Sequence, residues 1–429
     1  MTFGQSSPLV PHAKTAPRIP YPQLRTTSST WPALFVIMLL CAACEPSRIE
    51  TTPTPVPVLE TVWGAPTAVT WAPSFDTPAL AVDGLKTLVG AFELINDTPT
   101  LVIYRDGVRS RSNITAVNPY ELALFAATDL GSLAFWLDTD SGGLQRLYAA
   151  RLNDVAYSER GAIQISSGAV TRYAAAAMPD NSYWAVWSAP ASGESTLVGS
   201  RLDSLGRPRS AQTLRSDSDY PALAVTNNGG ALLYWLDGER LNLFGGEITD
   251  SGLTRVGEIP SGSWTRTITD QLLRLEVGID NTHAYVFWQV RSGLGLTEVW
   301  MKSTTLSNEE SIPVVRLAVT RLSERVQTGF NHGTAFSAMQ NLEGQRVTWL
   351  QPASGQNETL PASGMIDSHL TIIYFQAGRI VGSQTVAALD GELIAPPRVA
   401  TDDNRDLVVA WWMPDNTAES VLYLVDSRP

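Results

Sequence analysis

Side chains able to act as nucleophiles, metal ligands or proton carriers near neutral pH are scarce in this chain. Its two cysteines are Cys41 and Cys44, and beyond the N-terminal segment the histidines are His283, His332 and His369. A redox or zinc-binding Cys-x-x-Cys needs a polar setting that stabilises thiolate, and this pair lies in an apolar run. The histidines lack the clustered spacing of a metal or acid–base site. His283 opens an apolar strand (HAYVFW) and His332 sits at a turn, so both read as surface or capping residues. Asp138, Asp140 and Gly142 in DTDSG loosely match an oxygen-rich calcium loop without its later Glu ligand. A solvated hairpin turn is the alternative, and Asp237, which occupies the same place after its own tryptophan, favours it.

Glycoside hydrolysis needs two carboxylates facing each other across a pocket. The 42 acidic residues could supply such a pair from separate segments, but no spacing marks one. Arg151 and Arg201 recur 15 and 14 residues after Trp136 and Trp187, as an inward arginine cluster or as a strand-edge position of a repeat. Gly293 and Gly295 in RSGLGL precede no helix and so form no phosphate loop. No catalytic residue, cofactor or metal ligand is therefore assigned. The formal charge of −12 and the lack of a basic cluster argue against a nucleic-acid partner, which needs a Lys/Arg surface.

The N-terminus carries a different chemistry. Lys14, Arg18 and Arg25 precede a 14-residue apolar run, Trp31 to Cys44 (WPALFVIMLLCAAC), which is short for a membrane span. A basic region, an apolar core and small residues before a cut site are the parts of an export signal. Ala42 and Ala43 followed by Cys44 resemble the lipobox of bacterial lipoproteins, although Cys41 stands where that family usually has Leu. The resemblance implies that residues 1–43 are removed and that the Cys44 thiol carries a diacylglyceryl group. It places the protein outside the cytoplasm, in the cell envelope, with the membrane as a partner through the lipid. Residues 44–60 are rich in Pro and Thr (EPSRIETTPTPVPVL at 45–59) and read as an extended tether.

From residue 61 to 429 one pattern recurs: a short strand, a turn with Asn, Asp or Gly, then an apolar strand ending in an aromatic. Clear copies are 221–237 (PALAVTNNGGALLYWLD), 121–138, 173–188 and 397–412, and weaker ones are 78–94, 273–289 and 333–350. Their aromatic anchors are Phe92, Trp136, Trp187, Trp235, Trp288, Trp349 and Trp411, at spacings of 44, 51, 48, 53, 61 and 62 residues. Two further β-rich runs follow each anchor, giving four short strands per repeat, the blade of a β-propeller. The apolar strand is continuous rather than alternating, so both its faces must be covered, as happens when a sheet packs between two neighbours. The tryptophans are expected to fill the gaps between blades.

Seven four-stranded blades are therefore expected. The last copy is one strand short and residues 61–73 precede the first copy as an orphan strand, so the N-terminal strand should pair with 419–426 and close the ring. The insertion 351–367 after Trp349 should be a surface loop, bordering a partner site with His369. The repeat resembles those of secreted bacterial propellers in general, which transfers no site residue. The expected function is binding of a protein or carbohydrate ligand, with a glycosidase- or sialidase-type enzyme and an envelope-assembly scaffold as alternatives.

Overall fold

The computed structural model divides the chain into two units, 1–49 and 50–429. It describes residues 63–427, apart from 73–77, 84–85, 128–130, 192, 227, 238–241, 260–270, 292–296, 307–313, 321–325, 332–333, 343–367, 390–396, 402–406 and 415–419. Among these residues the chain forms seven four-stranded antiparallel sheets and no helix. Numbered as blades in chain order, the sheets begin with the strands Ala79–Asp83, Tyr120–Ala127, Arg172–Ala177, Ser218–Val225, Gln271–Ile279, Val326–Asn331 and Arg398–Thr401. Each of these first strands contacts the first strand of a neighbouring blade, so the seven surround a common axis, and later strands run outward. The fold is a β-propeller.

The second strands show why the repeat folds this way. Gly131–Thr139 and His283–Arg291 are buried along nearly their whole length, because blades cover both of their faces. The anchor tryptophans of blades 2, 4, 5 and 7 pack toward the preceding blade. Trp136 meets Phe92 of blade 1 edge-on at 5.8 Å. Trp235 lies among Trp184, Val186 and Leu197 of blade 3. Trp288 lies among Tyr234, Leu236 and Leu243 of blade 4, and Trp411 against Leu370 and Ile372 of blade 6. Register then pairs Trp136, Trp235 and Trp411 with Tyr148, Phe244 and Tyr423 on the third strands, stacked at 5.6 to 5.9 Å. Regular recurrence of tryptophan is thus a packing requirement, since each blade presents a flat apolar face that a wide ring covers well.

Ring closure follows the expected pairing. Thr67–Ala72 runs antiparallel to Ser420–Asp426, with Thr67 opposite Leu424 and Trp71 opposite Val421, and supplies the outermost strand of blade 7. Both chain ends of the ring thereby lose an open edge.

Blade 6 departs from the sequence reading. The segment 333–342, expected to be a first strand, is the second, Thr334–Leu342, and the first is Val326–Asn331. The two are separated by residues 332–333 alone, and the short link hid the hairpin behind the aromatic anchor rule. Trp349 lies outside the described residues, as do His332, the insertion 351–367, Gly293, Gly295, Cys41 and Cys44. Backbone pairing of His369 with Asn341 and Ala388 is described, but not its side chain.

Candidate functional site

The seven first strands converge on the axis, where space for side chains is least. Blade 3 meets this constraint with Tyr173 followed by a run of alanines, 174–177. At the N-terminal ends of the strands the channel widens into a mouth of about 510 Å³. In a four-stranded meander this end carries the links between blades and the links between second and third strands. Its polar lining comes from Glu121, Arg172, Tyr173, Tyr220, Arg274, Glu276, Gln289 and Arg398.

Local backbone irregularity positions several of these groups. The first strands of blades 2, 4 and 5 each carry a bulge against the second strand, between Tyr120 and Ala123, Asp219 and Ala222, and Leu272 and Arg274. A bulge adds an unpaired residue and re-aims the side chains beside it. Glu121 and Tyr220 are those extra residues in blades 2 and 4, with φ of 53° and 57°. Left-handed backbone at such residues costs about 1–2 kcal/mol each, and the rest of the ring holds them there.

The polar groups form a connected rim. The Arg172 guanidinium lies 3.7 Å from the centre of the Tyr220 ring, with its Nε 3.3 Å from Asp219. The Tyr220 hydroxyl donates to the Leu272 carbonyl of blade 5 at 2.9 Å, and the Tyr173 hydroxyl to the Phe135 carbonyl of blade 2 at 3.1 Å. Arg274 pairs with Glu276, and Arg398 Nε donates to the Pro78 carbonyl at 3.2 Å. Gln289 is 2% exposed, and its Nε2 donates to no acceptor. The indole N–H groups of Trp136 and Trp235 also lack acceptors but are enclosed between blades, whereas Gln289 lines the mouth. A buried donor without an acceptor costs about 1–3 kcal/mol, which a ligand oxygen seated here recovers.

The residues singled out from sequence lie elsewhere. Asp138 accepts the amides of Val117, Asn118 and Thr139 at 2.7 to 3.1 Å and ties the link between blades 1 and 2. Asp140 accepts from the amides of Leu144 and Gly142 and from Arg146, which together hold its carboxyl below the usual range. Both carboxylates are thus turn residues whose oxygens already have N–H partners. Asp237 acts similarly at blade 4, accepting from Ser218 and pairing with Arg215. Among the described residues no group of three or more His, Cys, Asp or Glu side chains could hold a metal ion. His283 is a buried capping residue, its Nδ1 2.7 Å from the Thr282 hydroxyl.

Arg151 and Arg201 take the strand-edge alternative, on third strands and away from the axis. Arg151 reaches the Tyr183 hydroxyl at 3.4 Å, and Arg201 bridges Asp180 and Asp250. The arginines at the axis are Arg172, Arg274 and Arg398. Sequence reasoning passed over them, although each stands at or near the start of a repeat's first strand, which neighbouring blades half cover.

Together, ring and mouth define the class of protein as a β-propeller with a polar axial site. No protein-family model matches the chain, and no curated protein matches it. Among solved structures the chain is similar to the polysaccharide lyase Uly1, with a TM-score of 0.52 and 9% identity over 91% of this chain and 95% of that one. A structure from a study of two prolyl endopeptidases gives a TM-score of 0.43 and 12% identity over 84% of this chain and 46% of the other. The likeness to the lyase is of fold alone, and no residue is carried over from either structure. Among the described residues no helix is long and apolar enough to cross a membrane.

Proposed function

We propose that the chain is an extracytoplasmic binding module, held at a membrane by a lipid on Cys44, whose channel mouth takes a polar ligand. The observation that carries this reading is the buried Gln289 donor facing the mouth beside Arg172, Arg274 and Arg398. Half-buried inner strands gain little packing from these charges, and an external partner rich in hydrogen-bond acceptors gives them a role. The site offers guanidinium and amide donors beside Glu276, which is committed to Arg274, an arrangement suited to holding a saccharide or peptide. It does not mark out a free acid and base for hydrolysis.

The test uses the full chain extracted from membranes and arrays of neutral oligosaccharides, acidic oligosaccharides and peptides. Gln289→Leu and Arg274→Met should each weaken binding of the captured probe about tenfold with little change in melting temperature. Unchanged binding by both variants overturns the mouth as the site. Turnover of a captured oligosaccharide favours the glycosidase alternative instead.

A further inference from the structure

Among the described residues seven large apolar side chains are exposed, and six of them belong to blades 1 and 2 or to the link between them. They fall into two groups. Leu94, Val117 and Leu144 lie at the mouth end of the ring, in or beside the links that emerge there. Val108, Val155 and Tyr157 lie at the opposite end, on or beside the turns joining third to fourth strands, and are 67%, 68% and 51% exposed.

The second group is one patch on a built support. Asn153 Oδ1 accepts the amides of Val155 and Tyr157 at 3.1 and 2.9 Å, and the Asn153 amide donates to the Tyr157 carbonyl. Between them Ala156, with a left-handed φ of 60°, is buried in the core shared by blades 1 and 2, so its two neighbours face outward. The Arg105–Asp154 ion pair at 3.2 Å brings this turn against Val108, which stands opposite Arg105. Blade 3 makes the same turn at Asp203–Arg207, where Asp203 Oδ1 accepts the amides of Leu205 and Arg207 and Gly206 holds a φ of 76°. There half-buried Leu205 takes the place of Val155, and exposed Arg207 that of Tyr157. The turn therefore does not require an exposed valine and tyrosine, and water disfavours them.

Chain path and charge select what covers the patch. The seam strand Thr67–Ala72 runs antiparallel to the third strand of blade 7, so it begins at the end of the ring away from the mouth, on the blade that packs against blade 1. Residues 45–66, 22 in all, join it there to the proposed lipid and reach at most about 75 Å. A tether of that length holds the ring beside the membrane at an effective concentration on the order of millimolar, so a patch too weak to recruit the protein by itself suffices to orient it. Beside the patch the cations Lys86, Arg105 and Arg160 match the carboxylates Asp106, Asp154 and Glu159. Beside Leu94, Val117 and Leu144, Arg146 stands against Asp97, Asp138 and Asp140, so an anionic head-group surface repels that group and not the patch. A phenol flanked by two valines suits the boundary between head groups and acyl chains, which accommodates an apolar body with a polar tip.

We propose that Val108, Val155 and Tyr157 rest on the lipid bilayer and turn the channel mouth away from it, toward the surrounding medium. This rests on the lipid anchor at Cys44 and adds to it a contact face and an orientation.

The test uses the full chain as processed in cells, reconstituted into vesicles of phosphatidylcholine and phosphatidylglycerol with a trace of a diazirine-bearing phospholipid. After photolysis, peptide mass spectrometry reads where lipid has attached. Peptides covering 105–111 and 153–160 should carry about fivefold more label than those covering 89–100 and 139–146. Val155→Ser combined with Tyr157→Ser should bring the two sets level, with unchanged lipid mass on Cys44 and a melting temperature within about 2 °C of wild type. Labelling that is equal at both ends or heavier at the mouth end, in a protein whose intact mass shows lipid on Cys44, overturns the contact face and leaves the anchor standing. A protein without that lipid mass overturns the anchor and this orientation with it. A preference for the patch that survives the double substitution overturns the role of these side chains. The wild-type labelling decides the face even if the double variant does not fold.

Discussion

The Tyr285 hydroxyl donates to Asp280 Oδ2 at 2.5 Å while accepting the Gly378 amide at 2.8 Å. Asp280 in turn accepts the Ala377 amide at 2.9 Å, so two side chains of blade 5 fasten a turn of blade 6. Hydrophobic faces alone leave neighbouring blades free to slide, and directional bonds at a turn fix their offset. Burial alone raises the Asp280 carboxyl pKa, but the Tyr285 hydroxyl and the amides of Thr282, His283 and Ala377 outweigh it and hold the group below the usual carboxylate range.

Asp280→Ala leaves three amides and a phenol without their acceptor and should destabilise the ring by about 3 kcal/mol. A lowered folded-state pKa gives stabilisation that is complete above the unfolded value of about 3.9 and is lost as pH falls through the folded value. Wild-type stability should therefore drop below about pH 4, with a shallower drop in Asp280→Asn. Denaturant melts at neutral and acidic pH check both statements, and equal acid slopes in the two proteins would contradict the second.

Removal of residues 67–72 from the full chain should expose the edge of Ser420–Asp426 along a whole blade. The expected result is a broadened thermal transition and a melting temperature lower by several degrees, about 3 °C or more for a ring of this size. A transition as sharp and as high as that of the intact chain shows that the seam contributes no cooperativity.

Glu121→Gly removes a left-handed strain of about 1–2 kcal/mol and adds unfolded-chain entropy worth about 0.5–1 kcal/mol. The variant should gain up to about 1.5 kcal/mol of stability while weakening ligand capture at the mouth. Calorimetry with array binding separates the two effects, and a loss of stability would mean that the Glu121 side chain contributes more than its backbone costs.

Cys44→Ser should leave the ring intact and release the protein from the membrane fraction, because lipid chains are the proposed anchor. Intact mass of the wild-type protein should show an N-terminus at Cys44 carrying lipid. A mature species that keeps residues 1–43, or that carries no lipid mass, rules out this anchor.

Fold was more legible in the sequence than site, for a physical reason. Trp136, Trp235 and Trp411 recur because every blade solves the same packing problem, and repetition makes a weak local signal strong. The seam was legible as a deficit, one strand missing after residue 426 and one spare near residue 70. Blade 6 misled the reading because a two-residue link merges its first two strands into one run. The mouth stayed hidden because its residues come from different blades and meet only once the ring closes. Arg172, Arg274 and Gln289 share no motif, and only their presence in the inner strands of the ring sets them apart.

The seam also orders the assembly in time. Thr67 waits for Leu424, so the first strand of the ring finds its partner only in the last. Closing a gap of that length before the other blades exist would cost about 3 kcal/mol more chain entropy than closing a hairpin. The blades in between must therefore zip first, each shortening the remaining span. Until the last strand of the ring is present two edges stay unsatisfied, and a ring lacking it keeps them open as a template for joining other copies. Completion of the ring is in effect a proofreading step that only a chain carrying both seam strands passes.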